Sequence, residues 1–456
     1  MNLPDSKPFD LTIIGAGLAG SEAALQAASR GIRVRLFEMR PETNTGVHTT
    51  ANFAELVCSN SLGSSLPDRA SGCLQHELKR SGSFLIDIAQ KCALPAGRAL
   101  AVDRTLFSLK ATELISSSPN IEIIRQEVTS IPEGVTIIAS GPLTSPRLAA
   151  AIADLTGEEA LFFFDAVAPI IDIHTIDFNA AFRASRYQKD EDQNGDYVNL
   201  PFTKEEYYAF VELLTKAKRA TLKPFEIEIN SGVTAGSQAF FEGCLPVEVL
   251  ATRGVDALAF GPMRPVGLVN PRDGHRPFAV IQLRQDNISG DLYNLVGFQT
   301  NLTIPEQERV LRTIPGMKDV EFIRYGQMHR NTYLASPLLL YPNLQMRKEP
   351  RLFFAGQITG VEGYAGNIAT GLLAGRNAAR LIKGLDPVVY PPTSMIGALC
   401  NYITACEMSQ FQPMKANFGI LPELVSSRKL GKREKAVAYY ERSMQDLDQF
   451  LNNEKV

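Results

Sequence analysis

Short apolar runs alternate with amphipathic stretches along this chain, and the first such pairing sets the pattern. Residues 11–14 (LTII) read as a buried strand, the alanine-rich stretch after Gly17 as a helix, and residues 32–37 as a second strand beyond the break at Arg30 and Gly31. Leu74, Leu78, Leu85 and Ile88 fall on one side of a helix predicted over 71–92, with Gly82 weakening its middle. A strand ending at Asp103 follows, and Asp103 is placed to cap a helix carrying Leu106, Leu109 and Leu114 on one face. Two more apolar runs, 121–124 and 135–139, complete an alternation that predicts an α/β fold with a doubly wound, Rossmann-like sheet.

The texture changes near Leu161. The stretch LFFFDAVAPIIDI is aromatic and β-branched with no intervening helix, and residues 183–199 are strongly polar. An amphipathic helix is predicted over 204–218, and alternating runs at 278–283 and 291–298 predict a small sheet. The first pattern resumes late: 352–355 as strand, 356–366 as a glycine-rich turn, 367–382 as helix, with Ala369, Gly371, Ala374 and Gly375 small enough for close packing. The division that follows is 1–165 for the first part of the cofactor domain, 166–334 for an inserted α+β domain, and 335–456 for the second part with C-terminal helices.

Composition narrows the class. At 456 residues and 45% hydrophobic content the chain exceeds one ordinary domain and can fill more than one core. A formal net charge of -3 gives no overall footprint for nucleic acid, so any basic surface has to be local. Six cysteines, none in a CxxC pair and none in a Cys/His cluster, argue against zinc and a disulfide framework, and no metal is expected. The start MNLPDSKPFD lacks a basic-then-apolar leader, and no apolar run is long enough to span a bilayer. A cytoplasmic protein with no membrane partner is the expectation.

The chemistry starts at Gly15, Gly17 and Gly20. Gly15 allows the tight turn, Gly17 lets a pyrophosphate approach the backbone, and Gly20 lets helix and strand pack closely, while the helix N-terminus offers free N–H groups. Glu38 ends the second strand, where a carboxylate accepts from ribose hydroxyls. The second glycine-rich turn at 356–366 complements the first, a pairing that points to FAD rather than NAD. Cys58 lies in a polar loop, CSNSLGS, just beyond the ribose-binding strand; Cys244 lies in a turn, FEGCLP, with Glu242 and Glu248 nearby. Cys73 and Cys92 read as packing residues. Arg264, Arg272, His275 and Arg276 make the loop 261–277 either a solvated loop or an anion-binding surface. Arg428, Lys429, Lys432, Arg433 and Lys435 make the last helix either a solvated face or a nucleic-acid contact.

Together, GAGLAG with its FEMRP continuation, AELVCSNSLGS, FEGCLPVE, GPMRPVGL, YNLVGFQTNL and FFAGQITGVEGYAGNIATG resemble the folate- and FAD-dependent tRNA (uracil-5-)-methyltransferases. This bacterial group is related to the flavin proteins that modify the tRNA wobble uridine. The resemblance spans nearly the whole chain. It implies methylation of C5 of the T-loop uridine (position 54) of tRNA to ribothymidine. The one-carbon unit then comes from 5,10-methylenetetrahydrofolate and the reduction runs through FAD from NAD(P)H. Cys244 matches the cysteine whose thiolate adds to C6 of uracil and makes C5 nucleophilic; Cys58 matches a flavin-side cysteine, available to relay the one-carbon adduct or take the C5 proton. Each thiol needs a depressed pKa or a nearby base. Ile14, Gly15, Ala16, Gly17, Leu18, Ala19, Gly20 and Glu38 match the nucleotide half of FAD, and Gly356 and Gln357 its ribitol and isoalloxazine side. Gln357 stands where many flavin proteins carry an acid, and with one complete GxGxxG no separate nicotinamide domain is evident. Two other readings remain. One is the wobble-uridine modification factor, whose members are longer and give the two cysteines no purpose; the other is a noncatalytic flavin-bound RNA-binding protein.

Overall fold

The computed structural model describes residues 9–45, 47–157, 161–186, 195–220, 245–425 and 430–454. Its central sheet is parallel throughout, with strands in the order Leu352–Phe354, Thr136–Ile138, Leu11–Ile14, Val34–Glu38, Ile121–Arg125. The chain therefore builds outward from Leu11–Ile14 in one direction and then returns to build in the other. The strand order reverses beside that strand, the place where open α/β sheets bind ligands. Successive residues bury into opposite layers: Ile13, Ile137 and Phe353 into one core, Ile14, Ile138 and Phe354 into another. Both faces are covered, which is why these strands read as continuous apolar runs.

The helix Leu18–Ala28 packs directly on Tyr364–Ile382. A Cβ at Gly371 would lie 2.2 Å from the Ala19 carbonyl oxygen, and one at Gly375 2.5 Å from that of Ala23. The small residues of the late glycine-rich segment thus serve the contact between the two halves of the cofactor-type fold.

Three sequence expectations are corrected. The helix over 71–92 is two helices, Ala70–Arg80 and Phe84–Lys91, because Gly82 takes φ +71° and Ser83 caps the second by accepting from the Ile86 N–H. Asp103 does cap Arg104–Ser116, accepting from the Leu106 N–H at 2.8 Å, but Leu109 and Leu114 are exposed. The face turned inward is Phe107, Ala111 and Ile115, an i, i+4 stripe. The strand Ala99–Val102 pairs with Ser61–Ser64 and Ala93–Leu94 in a small antiparallel sheet, outside the parallel one.

A second, six-stranded antiparallel sheet has the order Phe182–Arg183, Tyr197–Phe202, Ala279–Gln285, Leu292–Leu295, Ile170–Asp172, Phe322–Arg324. Its own core is closed by the helix Lys204–Lys216, which starts in a capping box between Thr203 and Glu206. Leu161–Ala166 and Met328–Tyr333, where the chain leaves and returns, pair antiparallel. The last helix, Lys432–Asn453, is anchored by buried contacts: Ser443 donates to Glu77, and Phe450 lies against Tyr390. Among the described residues no helix is long and apolar enough to cross a membrane.

Candidate active site

A cleft of about 990 Å³, partly open to solvent, lies at the C-terminal end of Leu11–Ile14. Ile14, Gly15, Gly17, Leu18, Ala19 and Glu38 line one side, and Gly356 and Gln357 line another. Ala16 and Gly20 stand behind the wall. The Ala16 N–H donates to Glu38 Oε2 at 3.1 Å, and a Cβ at Gly20 would fall 1.7 Å from the Gly15 carbonyl oxygen. Gly15 holds φ +95° with Ala139 and Ser140 backbone close behind it, so only glycine fits there. At Gly17 the space is open, and a Cβ would meet nothing within 4 Å. That opening faces the N-terminus of Leu18–Ala28, whose first N–H groups suit a pyrophosphate.

Glu38 is more tightly engaged than its sequence position suggests. Its carboxylate is buried and accepts from the Arg40 N–H (3.0 Å) and the Arg40 Nε–H (2.9 Å) as well as from Ala16. Burial works to raise its pKa, but the Arg40 guanidinium and the backbone donors outweigh it and hold the carboxyl below the ordinary 4.5. Arg40 itself reaches the carbonyls of Thr50 and Asn52 and the Glu55 carboxylate, fixing the polar loop over the cleft. Arg40 was legible in the FEMRP run, but nothing in the spacing assigned it this task.

Cys58 lies one residue beyond Val57, which lines the cleft. Its loop is held from three sides. The Tyr364 hydroxyl, at the start of the late helix, accepts from the backbone N–H groups of Cys58 (2.9 Å) and Ser59 (3.1 Å) and donates to the Ser59 carbonyl (2.9 Å). Arg324 donates to the Cys58 carbonyl at 3.2 Å, and Arg104 donates to the Leu56 carbonyl at 3.1 Å while pairing with Asp286 at 2.6 Å. Asn60 bridges to the Gln285 carbonyl and accepts from Arg284. The loop of the first sheet's domain is thus clasped by residues of the second sheet.

Cys244 and Glu242 lie outside the described residues. The described chain resumes at Leu245, and two residues on the Val247 N–H donates to the Gln299 carbonyl at 2.7 Å. Glu248, fully buried, accepts from Thr300 Oγ1 (2.9 Å) and the Asn301 N–H (2.8 Å), so it ties the segment after Leu245 to residues 299–301. In the basic loop Arg272 is committed to the carbonyls of Phe178 and Ala181. In the last helix Arg433 pairs with Asp68 at 3.2 Å on the surface, and residues 428 and 429 lie outside the described residues.

The cleft accepts a flavin dinucleotide on its own chemistry. Asn367, which lines it, donates Nδ2 to the Gly363 carbonyl at 3.0 Å, while its buried Oδ1 has no hydrogen-bond partner among the described residues. A buried acceptor left open toward a cleft calls for a donor from a ligand. Gln357 Nε2 donates to Glu362 at 2.8 Å, orienting that amide at the cleft wall.

The family model for glucose inhibited division protein A matches residues 10–386. The methylenetetrahydrofolate–tRNA-(uracil-5-)-methyltransferase TrmFO of Heliobacterium modesticaldum is 52% identical over 442 residues, covering 97% of this chain and 98% of that protein. The enzyme of the same name from Bacillus cereus is 50% identical over 442 residues, with 97% and 99% covered. The solved structure of Aquifex aeolicus GidA superposes with a TM-score of 0.65 at 17% identity, covering 97% of this chain and 73% of that one.

Proposed function

We infer the reaction from a family premise: the chain belongs to the glucose inhibited division protein A family, and within it to the methylenetetrahydrofolate–tRNA-(uracil-5-)-methyltransferases. It methylates C5 of uridine in tRNA with the one-carbon unit of methylenetetrahydrofolate, and it is a flavoprotein using FAD. The observation that carries this is about 50% identity over nearly the full length of both chains. The wobble-uridine reading is disfavoured by the same comparison, since relatives about 50% identical over nearly their full length carry the methyltransferase name.

Within that reaction the finer assignments are our proposal. The uridine is that of the T-loop, and NAD(P)H supplies the electrons. Gly15, Gly17, Leu18 and Glu38 hold the nucleotide half of FAD; Gly356, Gln357 and Asn367 meet the ribitol and ring side. When bound and reduced by NAD(P)H, the flavin would supply the hydride that turns a methylene into a methyl group. Cys244 adds as thiolate to C6 of uracil, placing negative charge across C5 and O4; after transfer the C5 proton leaves to Cys58, and expulsion of the Cys244 sulfur restores the ring. The 166–334 segment carries Cys244 as an inserted domain.

The test is transfer of label to C5 of a T-loop uridine by the purified protein. Labelled methylenetetrahydrofolate with a flavin reductant is expected to give ribothymidine. Label arriving from S-adenosylmethionine would sink the reading.

A further inference from the structure

Three guanidinium groups meet behind the Cys58 loop, contributed by Arg104, Arg284 and Arg324, and the carboxylate among them, Asp286, pairs with Arg104 at 2.6 Å. Asp286 is 2% exposed. The cluster therefore carries an excess of positive charge in a place water does not freely reach. Two of its donors, Arg104 Nε and Arg324 Nε, are buried with no hydrogen-bond partner among the described residues. An arrangement of this kind is costly unless an anion completes it.

We propose that Arg324, backed by Arg104, is a positioning residue for the flavin-side thiol: it holds the Cys58 carbonyl and presents positive charge that favours the Cys58 thiolate. Three titratable groups face the cluster besides Asp286. Tyr197, beside Arg284, is excluded because its hydroxyl donates to the Ala96 carbonyl at 3.0 Å and burial raises its pKa. Tyr364 is excluded by its bonding, because its hydroxyl already donates to the Ser59 carbonyl and accepts two N–H groups, and burial pushes its pKa well up. Cys58 is left. The coupling is visible from the arginine side as well. Burial and the like charge of Arg104 pull Arg324 down to about 10, while the negative charge of Asp286 and of the Cys58 thiolate works against that fall. Coupling between two charges is reciprocal, so a thiolate that steadies the guanidinium is steadied by it. The charge also crosses from one sheet's domain to the other. Arg324 ends the strand Phe322–Arg324 of the six-stranded sheet, whereas Cys58 belongs to the cofactor side, so docking of the two is what activates the thiol. This deepens the role given to Cys58 above and rests on that reading for its meaning in catalysis.

The experiment follows alkylation of Cys58 by iodoacetamide in the full-length flavin-loaded protein, from pH 6 to 10, read by mass spectrometry of the Cys58 peptide. Arg324→Gln is expected to react about tenfold more slowly at pH 7 and to reach the wild-type rate by pH 10. Arg324→Lys, which keeps the charge, is expected to stay within about threefold of wild type at pH 7. A wild-type pH profile in Arg324→Gln overturns the proposal, as does a loss of equal size at pH 7 and pH 10, which reports changed access. Should Arg324→Gln fail to fold, Asp286→Asn decides: removal of the competing carboxylate is expected to speed alkylation at pH 7, and a rate at or below wild type overturns the idea. The readout needs neither tRNA nor folate. Absence of methylation by the wild-type protein would count against the function reading and leave this one standing.

Discussion

The phenolic oxygen of Tyr364 lies 2.9 Å from the backbone nitrogen of Cys58, a hydrogen bond that spans 306 residues of sequence. With the Ser59 N–H and carbonyl added, the hydroxyl uses one donor and two acceptor positions and has no capacity left for proton transfer. Tyr364→Phe therefore leaves two N–H groups without their partner, at a local cost of about 1–3 kcal/mol. The expected outcome is faster hydrogen exchange at residues 58–60 and roughly tenfold slower methylation, one tenfold step being about 1.4 kcal/mol, with flavin content unchanged. Retention of full activity would show that the loop does not depend on this clasp.

Glu38 and Arg40 set a pH dependence with a definite sign. The Glu38 carboxyl titrates below 4.5 in the folded chain, so its stabilisation is fully present above that pH and is lost as pH falls through the lower folded value. Glu38→Gln removes one of the two carboxylates that pair with the buried Arg40 guanidinium and is expected to cost about 2 kcal/mol at pH 7. Thermal unfolding from pH 7 to pH 3 should show the gap between the two proteins closing below pH 4.5. A gap of constant width across that range counts against the assignment.

Gly17 and Gly20 stand three residues apart but should fail in different ways. A Cβ at Gly20 collides with the Gly15 carbonyl oxygen, whereas one at Gly17 enters open cleft. Gly20→Ala is expected to cost several kcal/mol, beyond the roughly 1–3 kcal/mol of ordinary overpacking, because backbone must move. Gly17→Ala is expected to keep its Tm in the flavin-free form within about 2 °C and to lose flavin affinity by tenfold or so. Calorimetry on the flavin-free proteins and flavin titration separate the two.

These contrasts mark what the sequence could and could not disclose. The GxGxxG spacing carries the turn, the helix and the two strands that flank it, because its constraints are local. Leu109 and Leu114 misled because a leucine count cannot say which of two stripes meets a neighbour; the sheet and the helix Phe84–Lys91 select Phe107, Ala111 and Ile115. Tyr364 sits in GYAGN with no local sign that it reaches Cys58, and the pairing of Arg104 with Asp286 joins segments 182 residues apart. The first contact forms only once the late helix has packed on the first, and the second only once the six-stranded sheet has docked. The charges around Cys58 had no spacing to betray them.

Cys244→Ala is expected to abolish methylation while the flavin spectrum is retained, since the C6 addition needs the sulfur and the cofactor does not. Wild-type turnover in that variant would remove Cys244 from the reaction. Turnover with both Cys58 and Cys244 replaced would remove both thiols from the reaction.

Asn367 offers the sharpest separation of cofactor binding from folding. Its Nδ2 satisfies the Gly363 carbonyl, but its Oδ1 is a buried acceptor with nothing to accept from until a ligand donor arrives in the cleft. Asn367→Leu removes one hydrogen bond and one unsatisfied oxygen together. These effects have opposite signs and similar size, so the stability of the flavin-free protein should change by no more than about 1 kcal/mol. The bound form loses the ligand hydrogen bond with no such offset, and flavin affinity should fall about tenfold, or 1.4 kcal/mol. Equal losses in flavin-free stability and in flavin affinity would mean that Asn367 serves the helix start alone. An affinity unchanged from wild type would mean that the orphaned oxygen faces water and not the cofactor.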